Sequence, residues 1–246
     1  MRYATAAASR AALEQRLLAV ARSGDVPLVR LRKLVAFERL LARLMIVAPD
    51  RWVLEGAVAL HLRLGARFRT TKDLDLGRWD DERAATDDLV AAEQVDLGDL
   101  FRFAVEGTAT LDQLLEGAAA RYHVSAYLAG RRFEEFSLDV GCGDPLTIEP
   151  ERLRGLDLLS FAEIDATEIP TLPLEPHVAE KVHAYTRGYA GGHPSTRVKD
   201  LVRMATEVGL DPELFVGYEQ ARAFLDPILG GTVPDDATWH SDRWRW

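Results

Sequence analysis

The stretch that decides the fold is Trp52–Leu76, WVLEGAVALHLRLGARFRTTKDLDL. Trp52-Val53-Leu54 predicts a short buried strand. Gly56 breaks it, and Ala57 to Leu64 carries the spacing of a compact helix closed by Gly65. A basic loop follows, and Thr71 to Leu76 predicts a second strand. Strand residues i and i+2 share a face, so Asp73 and Asp75 project to one side while Leu74 and Leu76 turn into the core. Two like charges held together are unfavourable unless a cation offsets them, and Mg2+ takes carboxylate oxygens together with substrate phosphates.

Asp139 extends the pattern. It lies in SLDV, another predicted strand, again between apolar neighbours. Three carboxylates from two strands make a donor set suited to two-metal phosphoryl transfer, with Asp73, Asp75 and Asp139 as the candidate metal ligands. The junction at Gly56 and Ala57 adds an anion site, because a strand–Gly–helix turn points backbone N–H groups and a helix N-terminus at a phosphate. A D-x-D spacing alone is common. A glycine turn, a short helix and D-x-D on the next strand form a much rarer combination.

Around this centre the chain reads as α+β. Leu13 to Ala21 predicts a first helix, and a second begins after Pro27 with Leu31, Leu34, Val35, Leu41, Leu44 and Met45 at helical spacing. Asp80 to Val95 is an acidic helix, Leu100 to Glu106 a strand, and Leu111 to Ala120 a short helix. RYHVSAYLAGRRFEEFSLDVGCGD reads as a hairpin turning at Ala129-Gly130. Pro145 and Pro150 break the chain, and Glu168 to Leu172 is a short strand. From Pro176 the pattern is helical, in PHVAEKVHAYTRGY, TRVKDLVRMATEVG and PELFVGYEQARAFLDPIL. Two parts result: a mixed-sheet domain with its N-terminal helices over 1–175 and a helical lobe over 176–246.

Composition bounds the function. The chain has 246 residues, 48% of them hydrophobic, enough for a proper core. No apolar run approaches the roughly 20 residues that cross a bilayer. The single cysteine, Cys142, forms no intramolecular disulfide and fits a reducing, cytoplasmic setting. The net charge of −9 argues against a generic nucleic-acid binder, and no DNA partner is expected. The charge is uneven, however: residues 80–116 hold 11 Asp and Glu against 2 Arg, leaving the remainder balanced. Arg30, Arg32, Lys33, Arg39 and Arg43, with Arg63, Arg67, Arg69 and Lys72, are therefore expected to offer a local face to a polyanion, unless they simply line solvated helices.

Through VLEG, the turn and DLDL, the chain resembles the DNA polymerase β-like nucleotidyltransferases. More narrowly, it resembles the AbiEii/AbiGii (MenT-like) toxin nucleotidyltransferases. HVAEKVHAYTR, containing Lys181, and STRVKDL, containing Arg197, Lys199 and Asp200, carry the narrower match over roughly Leu28 to Leu201. The resemblance implies a nucleotidyltransferase-fold mixed sheet and an enzyme using an NTP with Mg2+ or Mn2+. It implies metal binding by Asp73 and Asp75, phosphate contact by Lys181, and organisation of the site by Asp200, with Arg197 and the Gly56-Ala57 turn serving the nucleotide. Thr71 matches a position where some relatives carry a Ser or Thr that their antitoxin phosphorylates. A cognate antitoxin and a tRNA acceptor, extended at its 3′ end, are the implied partners. A protein acceptor, or a chain that only binds RNA or a partner, remains the alternative. One departure stands out: Glu55-Gly56-Ala57 occupies the turn where relatives usually read Lys-Gly-Gly or Gly-Ser.

Overall fold

The computed structural model describes residues 3–24, 26–64, 71–110, 119–142, 149–174 and 176–177. By its internal contacts the chain divides into two units, Met1–Pro173 and Leu174–Trp246. The described residues fall almost wholly in the first. The expected helical lobe, with Lys181, Arg197 and Asp200, lies outside them.

Two helices open the chain: α1 (Ala6–Ser23), capped by the Thr5 hydroxyl on Ala8 N, and α2 (Leu28–Val47), starting immediately after Pro27. Then come β1 (Val53–Leu54), α3 (Gly56–Leu64), β2 (Asp73–Arg78) and α4 (Glu82–Gln94). Strands β3 (Phe101–Thr110), β4 (Ala119–Leu128), β5 (Arg131–Cys142), β6 (Glu151–Arg154) and β7 (Glu168–Thr171) complete the sheet.

The seven strands are ordered β3-β4-β5-β2-β1-β7-β6 in one mixed sheet. Strand β2 runs parallel to β5 and antiparallel to β1, while β1 runs parallel to β7. The α+β reading is therefore correct. The hairpin forms where expected, with Ala129 (φ 56°) and Gly130 (φ 69°) both left-handed, as its two-residue turn requires. One reading needs correction. Ala119 and Ala120, expected at the end of a helix, begin β4 instead, because they continue the two-residue alternation that pairs with Gly141 and Val140. Glu151–Arg154, for which the sequence suggested no element, forms an edge strand on β7.

The alternation divides the sheet into two unlike faces. Leu74 and Leu76 of β2, Leu138 and Val140 of β5, and Tyr122 and Val124 of β4 are all buried on one side. Helix α2 packs there, its Phe37 ring meeting Phe136 edge-on at 4.7 Å. The opposite face carries Asp73 and Asp75, Ser137 and Asp139, and Arg121 and His123 in register.

The basic run of α2 is not a docking face. Arg30, Arg39 and Arg43 are 7, 4 and 1% exposed. Arg39 Nε donates to Asp99 Oδ2 at 2.8 Å, and Arg43 makes a two-pronged contact with the same carboxylate at 2.7 and 2.9 Å. Arg32 pairs with Glu14 and Lys33 with Glu134. Much of the expected polyanion surface over 28–43 is thus internal, with Arg39 and Arg43 compensated by a buried carboxylate.

That scaffold also protects the sheet edge. Strand β3 is terminal, and its outward groups at Phe101 are met by Asp99 Oδ1, accepting from the N–H at 3.0 Å, and by Arg43 Nη2, donating to the carbonyl at 2.9 Å. Glu93 of α4 accepts from Val105 N at 2.5 Å. An edge tied up in this way resists pairing with other chains.

Candidate active site

Thr71 shapes the start of β2. Its hydroxyl accepts from Asp73 N at 3.2 Å and donates to Asp73 O at 2.8 Å, so residues 71 and 72 form a turn and the strand begins at Asp73 rather than Thr71. From there the alternation puts Asp73 and Asp75 together on the polar face, half-buried, with Leu74 and Leu76 in the core.

Gly56 is what lets the carboxylates approach the turn. Its φ is +63°, and a Cβ at this position would lie 1.9 Å from Asp75 Oδ2. The backbone is fixed from the other side by Glu55 N, which donates to Asp75 O at 3.0 Å. The Asp75 carboxylate therefore rests directly on the first residue of α3, where the first-turn N–H groups have no partner within the helix. Gly77 plays a similar part for Glu55: a Cβ there would meet Glu55 Oε1 at 2.1 Å. Glu55 thus does not point away from the site. Its carboxylate lies along the same β2 face as Asp75.

Asp139 stands opposite Asp75 on β5, and Arg121 stands opposite Asp139 on β4. Arg121 grips it with two contacts, Nε to Oδ1 and Nη2 to Oδ2, both at 2.7 Å. This hydrogen-bonded pair raises the guanidinium's proton affinity above its ordinary value, and the charges of Asp73 and Asp75 add to the effect. The arginine is a site residue that sequence reading missed. Its only signal was the period of β4, which puts position 121 on the same face as the hairpin's Asp139.

Ala57 and Thr71 line a shallow cleft together with His61 of α3 and with Arg30 and Lys33 of α2. Arg30 Nη2 lies 2.9 Å from His61 Nδ1. A guanidinium only donates, so Nδ1 takes the acceptor role in this contact. Gly56, Ala57, Thr71, Asp73, Asp75 and Asp139 are thereby gathered on neighbouring elements. Among the described residues, no group of three His, Cys, Asp or Glu side chains could hold a metal ion.

The sequence profile described as the nucleotidyl transferase AbiEii toxin of type IV toxin–antitoxin systems matches residues 39–225. The chain belongs to that family. It is an NTP-dependent nucleotidyltransferase of the toxin type, and the family implies an antitoxin as its counterpart. Two Helicobacter pylori crystal structures resemble it. One, provisionally described as a nucleotidyltransferase, is 15% identical, with a TM-score of 0.45 over 82% of this chain and 83% of that one. The other, JHP933, is 16% identical, with a TM-score of 0.45 over 80% of this chain and 76% of that one. A comparison with curated sequences gives no match. No helix among the described residues is long and apolar enough to cross a membrane.

Proposed function

We propose that this AbiEii-family chain transfers a nucleotide from an NTP to the 3′ end of a tRNA, using a divalent cation held by Asp73 and Asp75. The observation that carries this reading is the contact between Asp75 and Gly56. It sets a carboxylate pair against a helix N-terminus, so that a cation and the phosphates it neutralises have adjoining places.

The residues present suit a hard cation. Their donors are all carboxylate oxygens, half-buried on a polar face, and two carboxylates with substrate phosphates are a normal Mg2+ environment. Bound there, Mg2+ or Mn2+ would neutralise charge on the phosphates. Asp73 and Asp75 would hold it, and the N–H groups of Gly56 and Ala57 would serve the triphosphate. The family resemblance assigns Lys181 and Arg197 to the nucleotide and Asp200 to the organisation of the site; all three lie outside the described residues. An acceptor hydroxyl oxygen bonds to the α-phosphorus, the bond from that phosphorus to the bridging oxygen breaks, and pyrophosphate leaves with the electron pair. The hydroxyl proton passes to solvent. Catalysis is mainly positioning and electrostatics.

The test is incubation with each labelled NTP, Mg2+ and total tRNA, with Asp73→Ala as control. Label on tRNA that vanishes in the variant supports the proposal. Label on protein instead makes the acceptor a protein. Absence of both label and nucleotide binding removes the catalytic reading for this chain.

A further inference from the structure

Arg121, Asp139 and Asp75 form one row across three neighbouring strands, with the Gly56 turn beyond Asp75 at the end of the row away from Arg121. At about 4.8 Å per strand, the backbones of Asp75 and Arg121 lie roughly 10 Å apart. Each side chain of the Arg121–Asp139 pair is partly open, 43 and 23% exposed. Both oxygens of Asp139 are engaged, and no three-carboxylate cluster forms among the described residues. A cation recruited to Asp139 would have to displace one of the stronger side-chain contacts proteins make.

We propose that Asp139 is a positioning residue rather than a metal ligand, and that it aims the Arg121 guanidinium at a phosphodiester of the acceptor strand. The order of the row carries the assignment. With the triphosphate at the Gly56 turn and the cation on Asp73 and Asp75, the side of the carboxylates remote from the turn belongs to the incoming acceptor. A planar, permanently charged guanidinium on that side suits a phosphate oxygen pair. Asp139 keeps the long side chain in one orientation, so less freedom is lost when the acceptor docks. This rests on the nucleic-acid acceptor reading above and deepens it.

The experiment compares wild type with Asp139→Asn, Arg121→Ala, Arg121→Lys and the Asp139→Asn/Arg121→Ala double variant. Mn2+ binding is followed by electron paramagnetic resonance, the affinity for an α,β-methylene NTP analogue by calorimetry, and transfer by titrating total tRNA at saturating NTP. Thermal melts confirm that each variant folds. Arg121→Ala and Asp139→Asn should leave Mn2+ and analogue binding within about twofold, while KM for tRNA rises roughly tenfold, the worth of one charged contact. The double variant should be no worse than Arg121→Ala, because Asp139 acts through the arginine. Arg121→Lys, which keeps charge without the fork, should fall between, and the salt dependence of tRNA binding should flatten by about one unit of slope in Arg121→Ala.

Loss of Mn2+ affinity in Asp139→Asn alone would make Asp139 a ligand and overturn the proposal. A rise in analogue dissociation constant in Arg121→Ala, with the tRNA KM unmoved, would assign the arginine to the NTP. No change in either leaves the pair structural and also overturns it. If wild type binds the Mn2+–analogue complex yet labels only protein, the nucleic-acid acceptor reading itself has failed and this assignment fails with it.

Discussion

The carboxylate of Asp75 occupies the space where a side chain on Gly56 would begin, 1.9 Å from the position of its Cβ. Gly56→Ala therefore imposes two penalties: a left-handed φ worth about 1 kcal/mol against a non-glycine residue, and displacement of Asp75. We expect a modest drop in melting temperature but a loss of at least about a hundredfold in kcat/KM, the usual consequence of a 1 Å misplacement at a reacting centre. Transfer of labelled NTP, read beside a thermal melt, separates the two effects.

Asp73→Asn and Asp75→Asn should dissociate activity from stability. Both side chains share one polar face of β2, so removing one negative charge relieves repulsion between them. Label transfer should vanish, while the melting temperature holds or rises. A large fall in melting temperature would show that the pair serves the fold instead.

Glu55→Gln should improve nucleotide capture. The Glu55 carboxylate lies against Gly77, on the Asp75 side of β2, where its charge opposes an incoming triphosphate. A severalfold decrease in the KM for NTP, with little change in kcat, is the expected outcome. Steady-state kinetics across NTP concentrations would check it.

Asp99 is the counter-ion for two buried arginines. Burial pushes its carboxyl upward, but Arg43 and Arg39 outweigh burial and hold it below the usual range. Asp99→Ala leaves Arg39 and Arg43 in the interior without compensation, at a cost of about 3–5 kcal/mol. Because the same carboxylate caps the Phe101 N–H, the variant should also expose the β3 edge and aggregate at lower concentration. Denaturant melts and light scattering report the two consequences.

Glu38 sets a pH dependence of opposite sign. It is 4% exposed; its Oε1 accepts from Thr167 N at 3.3 Å, and its Oε2 has no donor among the described residues. Burial raises its pKa from 4.5 to about 7. The folded chain thus holds this proton more tightly than the unfolded chain, and the stabilisation present below pH 4.5 is lost as pH rises through 7. The loss is on the order of 3 kcal/mol. Glu38→Gln should flatten stability between those limits and raise the melting temperature at pH 8.

Much of the fold was legible because its signals were periodic. The β2 alternation, the β4–β5 hairpin and the glycine turn each declare themselves within a few residues. What stayed hidden depended on partners far along the chain. Nothing near Arg39 and Arg43 distinguishes a solvated helix face from a buried one, because the deciding residue, Asp99, lies 60 and 56 positions away. Arg121 was invisible for the same reason, since its role appears only once β4 is laid beside β5. Ala119 and Ala120 suit a helix by composition and became strand through pairing. The Asp73-Leu74-Asp75 reading needed no distant partner and placed both carboxylates correctly.

The alternation over residues 73–76 has a consequence for how this toxin can change over time. These four residues act as a two-letter frame, one letter half-exposed on the polar face, the other buried in the core. Point substitutions alter one letter and leave its neighbours in place. Inserting or deleting a single residue between Thr71 and Gly77 would exchange the letters, driving aspartates into the interior and leucines onto the wet face. A substitution at Asp73 or Asp75 costs activity alone, whereas a shift of frame here would disarm and unfold the protein in one event.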